Sequence, residues 1–156
     1  CVIGRIKLLH ENQNQKDLLL NDKGLLPNFI NETVRCVSPV IHMRRTSLEE
    51  TEINGQRIGP HEKIALWYGA ANRDPDIFKN PDEFDILREN NDKHLAFGIG
   101  RHTCLGKPIA LMQLKEFYSQ FLTKFKDFEM NGDWKVAPNN FVHAIQEMPI
   151  KFKVKK

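Results

Sequence analysis

The stretch FGIGRHTCLGKPIALMQLK, from Phe97 to Lys115, crowds three glycines around one cysteine. His102 stands two residues before Cys104, and an apolar pattern of helical spacing begins directly after it. A thiolate is the metal-binding form of cysteine. A helix N-terminus stabilises negative charge through its unpaired N–H groups and its macrodipole. Leu105-Gly106, then Pro108 in a first helical turn, place Cys104 at such an end. The glycines permit tight bends and close approach of a flat body to the backbone. Phe97 offers an aromatic face near the sulfur, and Arg101 and His102 offer donors beside it. These are the requirements of a charge-bearing metal thiolate.

Two other readings stay open on these residues alone. A lone cysteine is commonly a small buried apolar side chain. His94, His102 and Cys104 could also offer zinc three ligands, although their spacing is irregular and no CxxC partner exists.

Working outward, the 156 residues suffice for one domain with one core. Hydrophobic residues make up 40% and charged residues 28%, which suits a globular chain and argues against disorder. A formal net charge of +3 is too mild for a nucleic-acid binder. Cys1, Cys36 and Cys104 form no disulfide framework, so a reducing, cytoplasmic setting is expected. The longest apolar run, 64–71, is far short of the ~20 residues of a membrane helix. The first residues show no signal peptide. They lack methionine and read as the middle of a helix, so the chain is expected to be a piece of something longer.

Residues 5–12 read as helical, with NQNQKD following as a polar break. Pro27 suits the first turn of a helix running to about Val37 and stopped by Ser38-Pro39. Asn54-Gly55 between short β-like flanks predicts a hairpin, and Lys63 to Tyr68 a strand. AANRDPD predicts a helical turn, and 75–96 an ordered meander. The helix after Cys104 carries Ile109, Met112, Leu114, Phe117, Phe121 and Leu122 and ends near Lys124. The tail predicts several short strands, with KFKVKK as an edge strand blunted by lysines. The class is α+β.

FGIGRHTCLG resembles the haem-binding signature of the cytochrome P450 family, Phe-Gly-x-Gly-x-His/Arg-x-Cys-x-Gly, with every fixed position filled. The resemblance implies haem b (iron protoporphyrin IX), with Cys104 as the iron ligand. It implies Phe97, Gly98, Arg101, His102 and Gly106 as further cofactor-binding residues. Glu32-Thr33-Val34-Arg35 is a second match, in the family's order. It resembles the E-x-x-R pair of the K helix, which is buried and braces the cysteine loop. VSPVIHMRRT resembles the segment leaving that helix along the haem edge. By position Arg44 resembles the arginine that binds a haem propionate, with Arg45 as its rival, and His102 resembles the second donor. WYGAANRDP and NPDEFDI resemble the family's K′ helix and meander. One departure stands out: the family often has arginine immediately before the phenylalanine of that last motif, where this chain has Glu83. Arg73 or Arg88 are the candidates to complete the brace.

The resemblance covers residues 1–156 as the C-terminal part of a single haem domain. It implies the K and L helices, small β-sheets, meander and cysteine loop of the mainly helical P450 fold. The I helix and the helices roofing the substrate pocket are not matched, so the piece alone is expected to be inactive. For the parent protein it implies a monooxygenase inserting one oxygen atom of O2 into a small apolar substrate of terpenoid, sterol or fatty acyl type. Val40, His42, Phe141 and Val142 are the implied substrate-facing residues. A ferredoxin-type electron donor is the implied partner, with Arg101, Lys107 and Lys115 as a candidate docking face; neither nucleic acid nor membrane is implied. The alternatives are a peroxide-driven haem-thiolate enzyme and a non-catalytic haem-binding fragment.

Overall fold

The computed structural model describes residues 2–154. Three helices open the chain: α1 (Val2–Glu11), α2 (Gln13–Asn21) and α3 (Leu26–Val37). The expected polar break is only Asn12. The residues after it are helical because tertiary contacts override their weak propensity. The Ile86 N–H donates to Gln15 Oε1 at 2.9 Å, tying α2 to the meander. Lys16 is buried, with Nζ 2.7 Å from Asp127 Oδ1 and 4.4 Å over the Phe128 ring.

Helix α3 begins with Pro27 in its first turn and ends at Ser38, which is buried in a left-handed conformation (φ 40°). Of Phe29, Ile30, Val34 and Val37, which their spacing puts on one side, the first three enter the core and Val37 is half-buried. Strands β1 (His42–Thr46) and β4 (Lys63–Trp67) pair antiparallel, and β2 (Thr51–Ile53) with β3 (Gln56–Ile58) closes around Asn54-Gly55. Both turn residues have positive φ, 48° and 78°, which matches the right-handed twist of a hairpin. The one-turn helix α4 (Tyr68–Ala71) starts earlier than AANRDPD suggested. From 72 to 106 the chain runs in turns with two short 3-10 segments.

Helix α5 (Lys107–Lys124) leads into β5 (Phe125–Met130), which pairs antiparallel with β8 (Ile150–Val154). Between them β6 (Lys135–Val136) pairs with β7 (Ile145–Glu147). The core lies where α1, α2, α3, α5 and the meander meet. Leu9, Leu19, Phe29, Ile86 and Tyr118 are fully enclosed there. The apolar side chains of α5 divide between two faces. Leu114, Phe121 and Leu122 are buried, while Ile109 (59% exposed), Met112 (64%) and Phe117 (39%) lie outside.

Candidate haem-thiolate site

The loop before α5 is built by short backbone bonds. Gly98 N–H donates to Leu95 O at 2.8 Å, Thr103 N–H to Gly100 O at 3.1 Å, and Cys104 N–H to Phe97 O at 2.8 Å. Gly98 has φ 71°, and a Cβ there would stand 2.9 Å from the His102 carbonyl oxygen, so glycine is required. The Lys107 N–H donates to Cys104 O at 3.1 Å as α5 begins. Cys104 is a free, exposed thiol, and a Cβ on Gly106 would lie 3.8 Å from its Sγ. Among the described residues the N–H groups of Leu105 and Gly106 have no partner, as expected for the start of a helix.

The sulfur opens on a cavity of about 720 Å³. Its walls come from five places: Val34 of α3; Pro39, Val40 and Met43 beyond it; Tyr68 at the start of α4; Ala96, Phe97, Gly98 and His102 leading to Cys104; and Ala110, Gln113, Leu114 and Phe117 of α5. Those α5 positions recur at helical spacing, so Phe117 turns from the core to line this slot.

Glu32 and Arg35 are both fully buried and pair bidentately, at 2.8 Å (Nε–Oε2) and 2.7 Å (Nη2–Oε1). Arg88 completes the brace, its Nε 3.2 Å from Glu32 Oε1. Glu83 contributes only its carbonyl, which accepts from Arg35 Nη2 at 3.0 Å and Arg88 Nη2 at 3.1 Å. Arg73 turns away, to Asp82 at 3.1 Å and the Cys36 carbonyl at 2.9 Å. Arg35 Nη1 also reaches the Asn72 carbonyl at 2.8 Å. The buried Asn72 side chain donates to Ser38 Oγ at 2.9 Å and accepts from Leu95 N–H at 2.6 Å. Helix α3 and the entrance of the cysteine loop are thereby joined through one amide. Asn72 carried no charge or spacing signal that would single it out in the sequence.

Two titratable groups near the site are strongly shifted. Burial pushes the Cys36 thiol up to about 12, with the Glu32 charge adding. Burial holds the His94 imidazole down to about 4, with the Lys107 charge adding.

The segments expected to face substrate are brought together. Val40 and Val142 form an antiparallel bridge, and the Ile41 N–H donates to Phe141 O at 2.9 Å. The His42 ring lies edge-on to Phe141, centroids 6.4 Å apart, and to Trp67 at 5.0 Å. Nδ1 of His143 sits 2.9 Å from Val37 O and 3.0 Å from Ser38 O, both acceptors, so it donates and ties the tail to the end of α3. Arg44 does not reach the cavity. Strand alternation puts it on the more exposed face, with His42 and Trp67. The half-buried Arg45 shares the face of Met43, which lines the cavity. Arg101 is exposed and is not among the lining residues. Among the described residues no three His, Cys, Asp or Glu side chains gather as a metal site, so His94, His102 and Cys104 do not assemble for zinc.

A largely apolar slot, with one thiol just before a helix N-terminus and His102 on its wall, has the shape and the sulfur donor that a flat macrocycle would need. Comparison with known proteins agrees. The family model for cytochrome P450 matches residues 7–154. The chain is 42% identical over 149 residues to cytochrome P450-terp of a Pseudomonas species, covering 96% of this chain and 35% of that protein. It is 37% identical over 145 residues to linalool 8-monooxygenase of Pseudomonas putida, covering 93% of this chain and 36% of that protein. Cytochrome P450-153 from Novosphingobium aromaticivorans superposes with a TM-score of 0.92 at 35% identity, over 96% of this chain and 38% of that one. The chain belongs to the cytochrome P450 family. It spans little more than a third of the length of the curated relatives it matches, and corresponds to the C-terminal portion of their fold. The family's cofactor is haem b, and the lining of the slot fits it: one sulfur, apolar walls and the imidazole of His102.

Proposed function

We propose that the full-length protein is a haem-thiolate monooxygenase. It inserts one oxygen atom of O2 into an apolar substrate of terpenoid, sterol or fatty acyl type. The observation that carries the reading is the Cys104 thiol on the wall of the apolar cavity where α5 begins. Bound haem supplies oxygen activation, which a thiolate ligand favours. Cys104 holds the iron. The free N–H groups of Leu105 and Gly106 lie next to that sulfur in the chain and temper its electron donation. Phe97 and Gly98 face the macrocycle, and Gly106 leaves room beside the sulfur. His102 and Arg45 take the propionates, Arg45 replacing Arg44 in that role. Val40, Met43 and Phe117 keep water from the slot. Val40 borders the substrate with Val142 bridged beside it, while His42, on the strand face of Arg44, and Phe141, packed against it, stand off the cavity wall.

The names of the relatives support an apolar substrate: a linalool 8-monooxygenase, a steroid C26-monooxygenase and a methyl-branched lipid omega-hydroxylase. A ferredoxin-type donor docking on Arg101, Lys107 and Lys115 is part of the proposal, as is a cytoplasmic location. No helix among the described residues is long and apolar enough to cross a membrane. The test is turnover by the full-length protein on a panel of terpenoids, sterols and fatty acids with ferredoxin, its reductase and NADH. Product carrying one atom from ¹⁸O-labelled O2 supports the reading. Product formed only with added peroxide would replace it with a peroxygenase.

A further inference from the structure

Lys107 is placed where a lysine should be uncomfortable. It is the first residue of α5, at the positive end of the helix, and the first turn carries no acid. Among the described residues it pairs with no carboxylate. Yet it is half-buried, its Nζ 5.8 Å from the centroid of Phe97, within reach of a cation–π contact. The same ring lies 5.8 Å from the buried His94. The ends of this small cluster are tied to the cysteine. Phe97 O accepts from Cys104 N–H, and Lys107 N–H donates to Cys104 O. Arg101 and His102 add further donors to the loop. Among the described residues neither Arg101 nor Lys107 forms an ion pair, and the acid beside the cluster, Asp92, acts on His94.

We propose that Lys107 is the charge partner of the thiolate side, a positioning residue that sets the reduction potential of the iron through the Cys104 sulfur. The inference rests on the haem-thiolate reading. A cation fixed on the Phe97 ring stabilises negative charge on the sulfur and weakens its donation to the metal. When iron(III) takes one electron from an external donor, the site gains one negative charge, which the ammonium favours. Because Lys107 is half-buried, salt screens this effect less than it screens an exposed pair.

The test is the reduction potential of the haem-loaded full-length protein, read by absorption with small-molecule mediators so that no protein partner intervenes. Lys107→Gln should move the potential negative, shifting the iron(III)/iron(II) equilibrium several-fold toward iron(III), at low and high salt alike. Lys107→Arg should restore it. Lys115→Gln, which removes an exposed cation about two turns further along α5, should leave it unchanged. Lys107→Met serves equally if the glutamine variant does not hold haem. An unchanged potential in Lys107→Gln with its thiolate-type carbon monoxide band intact overturns the proposal, as does an equal shift in Lys115→Gln. Absence of that band in the unsubstituted protein overturns the haem-thiolate reading itself, and this inference with it.

Discussion

Glu32 carries one negative charge against two guanidinium groups in a place with almost no water. Every arm of Arg35 and Arg88 finds an acceptor, so the network is tolerable only while complete. Glu32→Gln leaves both guanidiniums short of their counter-charge. It should cost about 3–5 kcal/mol in urea unfolding and loosen haem retention. Arg73→Ala removes an exposed pair with Asp82 and a hydrogen bond to the Cys36 carbonyl, and should cost about 1–2 kcal/mol. Equal losses for the two would contradict the assignment of Arg88 rather than Arg73 to the brace. The two described cysteines differ in the same local way. Cys36, half-buried with its thiol pushed up to about 12, should resist iodoacetamide at pH 8. The exposed Cys104 should be alkylated when haem is absent and protected when it is bound. Peptide mapping by mass spectrometry reads both.

At the scale of elements, the cysteine loop hangs on a backbone that only glycine permits and on a histidine kept neutral. Gly98→Ala brings a Cβ to 2.9 Å from the His102 carbonyl and should greatly reduce haem affinity in a titration. His94 gives the loop an acid limit. The unfolded chain takes up a proton near 6.5, which the fold refuses until about 4. Its contribution to stability is full above about 6.5 and falls as pH drops toward about 4, by up to about 3 kcal/mol. Unfolding curves across that window should be flatter for His94→Gln, and matching slopes would rule out His94 as the cause. Legibility also divides at this scale. Helix α3, the Asn54-Gly55 hairpin and α5 were readable because caps, turn residues and spacing act locally. The start of α2 was not, because Gln15 and Lys16 are held by Ile86 and Asp127, far away in the chain. The placement of Cys104 just before a helix was readable from its loop. Arg88, Asn72 and the choice between Arg45 and Arg44 depend on which groups meet across the fold, and no local pattern encodes that.

Across the whole molecule, one side of α5 and the cavity mouth present apolar surface: Leu105 (96% exposed), Ile109, Met112 and Phe117. Exposed apolar area of this kind marks surface that another part binds. The isolated 156-residue chain should therefore bind a hydrophobic dye and self-associate, and Ile109→Gln with Met112→Gln should reduce both in dye-binding and sedimentation measurements. The central claim, that Cys104 presents its thiolate to haem iron, is tested most directly by absorption. The full-length protein is reduced under carbon monoxide, beside its Cys104→Ala variant. The red-shifted Soret band for which the family is named should appear in the first and vanish in the second. Its persistence without the Cys104 sulfur would contradict the account.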